Sequence, residues 1–341
     1  MAELTSIEIC AGAGGQALGL ERAGFNHLAL YELDKHACQT LRANRPNWQV
    51  IEGDVAESSL CAFRGQVDLF AGGVPCPPFS RAGKQLGSAD ERDLFPEALR
   101  LVAECQPRAV MLENVRGMLD RVFDEYRQKI RQHLTELGYV VHWRLLNSSD
   151  YGVPQLRPRS VLVAIRQPWA SSFIWPTPDY FTPAPTVGEA LYELMATGGW
   201  LGATAWRNKA NAIGPTVVGG SKKHGGPDLG PTRAKKAWAE LGVDAHVLAN
   251  APPPPEFCGM PRLTVEMVAR LQGFPVDWRF VGVKTHAYRQ VGNAFPPPVA
   301  QAVGEAIYAA LTAGKDGELL EITVSGKRLK DIADLPLDLA V

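Results

Sequence analysis

The stretch DLFAGGVPCPPFS at 68–80 holds one thiol, Cys76, with Pro75 before it and Pro77-Pro78 after it. Proline fixes φ and has no N–H, so this Cys belongs in a stiff loop outside any strand or helix interior. A thiol held there can act as a nucleophile; taken alone, the stretch also fits a rigid turn with an inert Cys. Other groups have comparable chemical reach. CAGAGGQALGL places Gly12, Gly14 and Gly15 between an apolar run and a helical segment, where the backbone can approach a ligand at the positive helix end. The loop lacks the full G-x-G-x-x-G fingerprint, which tilts away from a dinucleotide. Glu32, in YELD, ends the second apolar run, where a ribose hydroxyl pair would be held; Asp34 beside it can supply a helix N-cap. Asp54, in EGDV, follows a short strand and could accept from an adenine amino group. Together these ends point to an adenosine-bearing cofactor, although each acid singly fits a solvated loop.

Glu113, in LENV, directly follows the apolar VML. A carboxyl facing a pocket there has its pKa raised and can serve as an acid; an ion pair with Arg116 is the plainer alternative. Arg157 and Arg159, in QLRPR, alternate onto one face as the chain enters a strand. Two aligned guanidiniums suit a phosphate or carboxylate, and the solvent face of an edge strand is equally compatible with the periodicity.

The elements that must position these groups alternate from the start to about residue 168. SIEIC, HLALYELD, VDLFAGG, RAVMLENV, VVHWRLLNS and SVLVAIR read as strands, and KHACQTLRAN, LFPEALRLVAEC and VFDEYRQKIRQHLTELG as helices between them. Such alternation predicts a parallel α/β sheet whose ligands bind beyond the carboxyl ends of the strands. Residues 171–261 are rich in Pro, Gly and Trp with weak periodicity and read as a second, irregular domain. TVEMVARLQGF at 264–274 is helical. At 299–314, Val299, Val303, Ala306, Ile307 and Ala310 share one helix face.

Composition is that of a globular chain with ample core, 46% hydrophobic and 21% charged, at a formal net charge of −1. No overall basic character advertises nucleic acid, so a local patch must carry that reading. Across 205–240 stand Arg207, Lys209, Lys222, Lys223, Arg233, Lys235 and Lys236, against Asp228 and Glu240 alone. Glycine pairs flank the basic SKKH, so a loop there could press close to DNA; a solvated charged loop is the bland alternative. The six Cys form no C-x-x-C pair, so neither zinc nor a redox motif is expected. Cys38 and Cys105 fit small buried hydrophobes. No run of 18 apolar residues and no signal-peptide pattern occurs, so a cytoplasmic protein without a membrane span is expected.

Taken jointly, AGAGG, YELD, EGDV, GGVPCPPFS, LENV, QLRPR, RLTVEMVARLQGFP and YRQVGNAFPPPVAQAVGEAI resemble the motifs of the DNA (cytosine-5)-methyltransferase family, bacterial restriction–modification type, in the family's order. The resemblance implies an α/β fold: a Rossmann-like S-adenosylmethionine-dependent methyltransferase domain, discontinuous over 1–175 and 287–315, and a smaller irregular target-recognition domain at 176–286. Residues 316–341 form a tail of unassigned function. It implies Cys76 as nucleophile toward cytosine C6, Glu113 as the acid at N3, and Arg157 and Arg159 as holders of the base O2 or its phosphate. S-adenosyl-L-methionine would lie against Gly12, Gly14, Gly15, Glu32, Leu33, Asp54, Val55, Asn293 and Ala294, leaving as S-adenosyl-L-homocysteine. Double-stranded DNA would meet Ser80, Arg207, Thr216, Lys222, Lys223 and Arg233, with Thr216-Val217 filling space near a flipped base. No metal is implied. A monomer is expected, as is a cognate restriction endonuclease acting on the same site without direct binding. A tRNA cytosine-5 methyltransferase of the same fold and a catalytically silent DNA-binding relative are the rival readings. The sequence departs from the family pattern at Glu8 (usually Asp), Cys10 (usually Phe), Val74 (commonly Pro) and Pro77 (commonly Gln).

Overall fold

The computed structural model of the chain describes residues 3–75, 93–178, 183–219 and 226–313. Seven strands form one sheet in the order β3-β2-β1-β4-β5-β7-β6. They are β1 (Leu4–Ile9), β2 (Phe25–Glu32), β3 (Val50–Glu52), β4 (Leu69–Gly73), β5 (Ala109–Val115), β6 (Tyr139–Asn147) and β7 (Pro158–Arg166). β1 to β5 pair in parallel. β7 is antiparallel to both neighbours, which corrects the expectation of a wholly parallel sheet. The physical reason is the short link between β6 and β7, which holds no helical crossover; parallel neighbours need one of a dozen residues or more. The reversal brings the start of β7 to the edge where β5 ends, with Val115 opposite Arg159.

Helices cover both faces, as a buried sheet requires. On one face α3 (Phe95–Cys105) and α4 (Asp124–Glu136) close a core with Phe70, Val110 and Leu162. On the other, α1 (Gly15–Arg22) and α10 (Pro297–Ala313) pack with Leu69, Met111 and Val163. Val299, Val303, Ile307 and Ala310 of α10 are buried, as its periodicity predicts. Between β2 and β3, α2 (Lys35–Asn44) begins at Asp34, whose carboxylate accepts from the His36 and Ala37 amides. Cys38 and Cys105 are both fully buried.

Residues 183–313 are more regular than their composition implies. α5 (Val187–Ala196), α6 (Ala203–Lys209), α7 (Thr232–Glu240), α8 (Val265–Leu271) and α9 (Lys284–Asn293) are all helical. Thr186 and Glu189 form a reciprocal capping box that starts α5. These short helices gain stability from a shared core of Trp206, Trp238, Leu241, Met267 and Phe274, which local periodicity does not reveal.

Candidate active site

The carboxyl ends of β1, β2, β4 and β5 open onto one cleft of about 250 Å³. Glu8 and Cys10 come from β1 and its exit, Glu32 from β2, Gly73 from β4 and Glu113 from β5. Asn293 at the end of α9 and the following Ala294 close the opposite wall. The glycine loop is seated by the acid the sequence singles out. Glu32 Oε2 accepts from the Gly12 amide and Oε1 from the Asp34 amide, each at 2.7 Å. Gly12 has φ 54°, a left-handed conformation that suits glycine. Burial raises the Glu32 pKa, and the amide hydrogen bonds oppose the rise. A carboxylate has about four acceptor positions, so Glu32 keeps capacity for a ligand's hydroxyls.

Cys10 also adopts a positive φ, 52°. Its thiol is pushed up to about 12, first by burial and then by the charges of Glu32, Glu8 and Asp54. It is a neutral wall group, not a nucleophile. Gly15 must be glycine for space: a Cβ there would lie 2.3 Å from the Phe295 carbonyl oxygen. Not every expected contact lies in the wall. Leu33 is 63% exposed. Asp54 caps a short helical turn, Val55–Glu57, accepting from the Ala56 amide at 2.9 Å. Leu33, Asp54 and Val55 lie outside the described lining of the cleft.

At the other end of the cleft, Glu113 is almost fully buried. Burial pushes its pKa up, against the pull of Arg159 and Arg157. Its ion-pair partner is Arg159, Nε to Oε1 at 2.8 Å, carried in by the reversed strand β7. That pairing replaces the Arg116 alternative. Next to Glu113, Asn114 Nδ2 donates to the Val74 carbonyl at 2.7 Å, fixing the backbone two residues before Cys76. Cys76 and Ser80 themselves lie outside the described residues.

Arg157 parts company with Arg159. It is 1% exposed and donates to three carbonyls: Val217 at 2.7 Å, Gly292 at 2.8 Å and Ala294 at 3.0 Å. Its donors thus join the entry of strand β7 to the Val217 segment and to the cleft wall. Burial lowers its pKa well below the usual arginine range. Gln155 joins the same network: Nε2 donates to Leu271 O and Gln272 Oε1, while Oε1 accepts from the Val217 amide. Thr216 donates to the Leu156 carbonyl, so the Thr216-Val217 pair is fastened beside the Arg157–Arg159 segment. Gly292 packs directly on Gly219, where a Cβ would come within 2.4 Å of the facing backbone.

Sequence reasoning passed over Asn114, Gln155 and Gln272, and over Gln16, Arg289 and Gln290 in the cleft lining. For Asn114 there was a signal, an amide beside Glu113 at a strand end; for Gln155 and Gln272 there was none local. Of the basic patch, Arg207 stacks over Tyr192 at 5.3 Å and Arg233 is exposed on α7. Lys235 is neutralised by Asp228 at 2.9 Å. Lys222 and Lys223 lie outside the described residues. Among the described residues no cluster of metal ligands occurs, and no helix is long and apolar enough to cross a membrane.

A family profile described as C-5 cytosine-specific DNA methylase matches residues 4–309. The chain belongs to that family. It is 58% identical to the Type II methyltransferase M.NaeI of Lentzea aerocolonigenes, over 93% of this chain and 78% of that one. It is 54% identical to the Type II methyltransferase M.NgoMIV of Neisseria gonorrhoeae, over 91% of this chain and 98% of that one. In structure it is similar to Spodoptera frugiperda DNMT2, with TM-score 0.64 at 16% identity, covering 89% of this chain and 99% of that one. The Entamoeba histolytica methyltransferase EhMeth gives TM-score 0.63 at 15% identity, covering 91% of this chain and 99% of the other. These neighbours share the Rossmann-like fold. The family is one of DNA cytosine-5 methyltransferases, whose chemistry calls for a methyl donor.

Proposed function

We propose that the protein transfers a methyl group from S-adenosyl-L-methionine to C5 of a cytosine flipped out of duplex DNA, through a Cys76–C6 adduct. The observation that carries this reading is Glu113, buried and paired with Arg159 at 2.8 Å, in the wall of the cleft that Glu32 and Gly12 border. The cleft's donor set fits the cofactor: Glu32 for ribose hydroxyls, the glycine loop for close approach, Asn293 and Ala294 for the methionine end. The bound donor supplies an electrophilic methyl group on a sulfonium.

The chain's own residues make C5 able to accept it. Cys76 thiolate forms a bond to C6, and Glu113 delivers a proton to N3 as the ring double bond shifts. C5 then carries enamine electron density. Once C5 is methylated, the N3 proton returns to Glu113, the C5 proton passes to solvent and the Cys76 sulfur departs as thiolate, which restores the ring. Burial holds Glu113 partly toward its acid form, while Arg159 orients it and lies near the base O2. Asn114 sets the exit of β4, so the loop bearing Cys76 starts from a fixed carbonyl. Arg157 acts on the site through the segments it clamps.

A base inside a duplex is out of reach, and flipping costs a few kcal/mol. Contacts from 176–286, including Arg207, Arg233, Lys222, Lys223 and Thr216, together with Ser80, are the sources we assign to that energy. Residues 1–175 with 287–315 form the catalytic unit. The enzyme acts as a monomer, and a cognate endonuclease shares its site without binding it. The test is covalent capture. Wild-type protein with donor and duplex DNA bearing 5-fluorocytosine forms an adduct stable to denaturation, and Cys76→Ser forms none. An adduct or normal turnover in Cys76→Ser overturns the mechanism; methylation of tRNA in place of duplex DNA overturns the substrate.

A further inference from the structure

α2 meets the chain at 279–290 through polar side chains. His36, Thr40 and Asn44 stand four residues apart, so they share one face of the helix. The His36 ring stacks on His286, with centroids 4.2 Å apart and planes 23° apart. Thr40 is fully buried. Its hydroxyl donates to Gln290 Oε1 at 2.6 Å and accepts from the Val281 amide at 2.8 Å. Gln290 Nε2 in turn donates to the Val281 carbonyl at 2.8 Å. Asn44 Nδ2 donates to the Arg279 carbonyl at 2.7 Å, and its Oδ1 accepts from the Arg279 amide at 2.9 Å. This seam takes no part in the Glu113 chemistry or in the Arg157 network.

The two helices it joins belong to opposite walls of the cleft. At its start α2 is tied to Glu32: the Asp34 amide donates to Glu32 Oε1 at 2.7 Å, and the Cys38 thiol to the Glu32 carbonyl at 3.3 Å. On α9, His286, Gln290 and Asn293 follow at spacings of four and three, which is one helix face. All three line the cleft. The side chain that grips Thr40 therefore stands one turn from Asn293, on the same face. The Thr40 hydroxyl is committed as donor and as acceptor at once. Hydrogen bonds hold over a narrow range of lengths, so this double commitment permits one spacing of the two helices.

We propose that Thr40, acting through Gln290, is a positioning residue for the methyl donor: it sets the distance between the Glu32 wall and the Asn293 wall. The proposal rests on the donor reading of the cleft. Thr40 lies outside the described lining, so it acts on a ligand only through the helices it joins. Thr40→Val keeps the branched shape and removes the hydroxyl. Gln290 Oε1 then lacks its donor and the Val281 amide its acceptor. Gln290 is released to other rotamers, and α9 loses the contact that fixes Asn293. Thr40→Ser keeps the hydroxyl and loses only a methyl group.

The test is methyl transfer from tritiated donor to duplex DNA by the full chain, with calorimetric titration of S-adenosylhomocysteine. Both are run at a temperature where melting curves show every variant folded. Thr40→Val raises the donor KM and the S-adenosylhomocysteine Kd about tenfold, the equivalent of one lost hydrogen bond. It leaves kcat at saturating donor and the KM for DNA within about twofold. Thr40→Ser stays within about twofold of wild type in every constant. Asn44→Ala cuts the half-exposed end of the seam and raises the donor KM about threefold; it decides the matter if Thr40→Val fails to fold. An unchanged donor KM overturns the proposal. So does an equal loss of donor affinity, DNA affinity and kcat, which marks a merely structural role, and so does a Thr40→Ser protein as weak as Thr40→Val. If the wild type does not bind S-adenosylhomocysteine, the donor reading of the cleft fails, and the proposal with it.

Discussion

Replacing Arg157 by Leu should unfasten three parts of the molecule at once. The guanidinium donates to Val217, Gly292 and Ala294 carbonyls from a fully buried position. Each carbonyl left without a partner costs about 1–3 kcal/mol. Part of that sum is returned, because the variant no longer holds a buried cation. With three carbonyls orphaned and the cost of burying the guanidinium returned, a net loss of about 3–5 kcal/mol remains. At about 2 °C per kcal/mol for a chain of this size, Tm falls by about 6–10 °C. Arg157→Lys keeps the charge and loses the planar fork. One ammonium cannot span Val217 on one side and Gly292 with Ala294 on the other, so roughly half of the loss remains. Thermal melting followed by circular dichroism reads both variants. S-adenosylhomocysteine affinity should fall with stability, because Gly292 and Ala294 flank Asn293 in the cleft wall. An Arg157→Leu protein melting within about 1 °C of wild type refutes the clamp. If such a protein had also lost methylation, this guanidinium would belong to the substrate after all.

Two further perturbations test other parts of the site. Asn114→Ala removes the donor to the Val74 carbonyl; kcat should drop about tenfold or more, with S-adenosylhomocysteine affinity within about twofold, and an unchanged kcat in a tritium-transfer assay refutes the role given to Asn114. Glu8→Gln should alter the pH dependence of stability. In the folded protein the Glu8 carboxyl sits well above 4.5, chiefly through burial. The folded state therefore keeps a proton that the unfolded state releases, and its stability falls as pH rises between the two values. The variant lacks this penalty, so its urea midpoint should gain on wild type as pH rises above the ordinary carboxyl range; parallel curves refute it.

Much of the site could be read along the chain because its signals are local. Gly12, Glu32 and Glu113 each stand at the end of an apolar run, and a strand end in an α/β sheet opens onto the ligand edge. The direction of β7 was missed although its signal is local: β6 ends at Asn147 and β7 begins at Pro158, too short a link for a parallel crossover. The role of Arg157 was not legible. Its alternation with Arg159 is a local pattern, but its acceptors stand 60, 135 and 137 residues away. The same holds for α5 to α7, short helices in a Pro- and Gly-rich stretch. Trp206 and Trp238 reveal their purpose only when packed together. Leu33 and Asp54 lie outside the described lining of the cleft for the opposite reason: a residue one or two positions beyond a strand end can turn to solvent or cap a turn.

The packing of α10 against α1 has a consequence in time. A Cβ at Gly19 would come within 2.5 Å of Ala300, and one at Gly304 within 2.8 Å of Ala23, so these helices are shaped for each other. All seven strands are complete when residue 166 leaves the ribosome, yet the cleft still lacks Asn293 and Ala294, and α1 lies bare until α10 emerges. At 5–20 residues per second, reaching residue 313 takes roughly 7–30 s more. Throughout that interval the nascent chain holds Glu113 in a cleft whose Asn293–Ala294 wall has yet to be made.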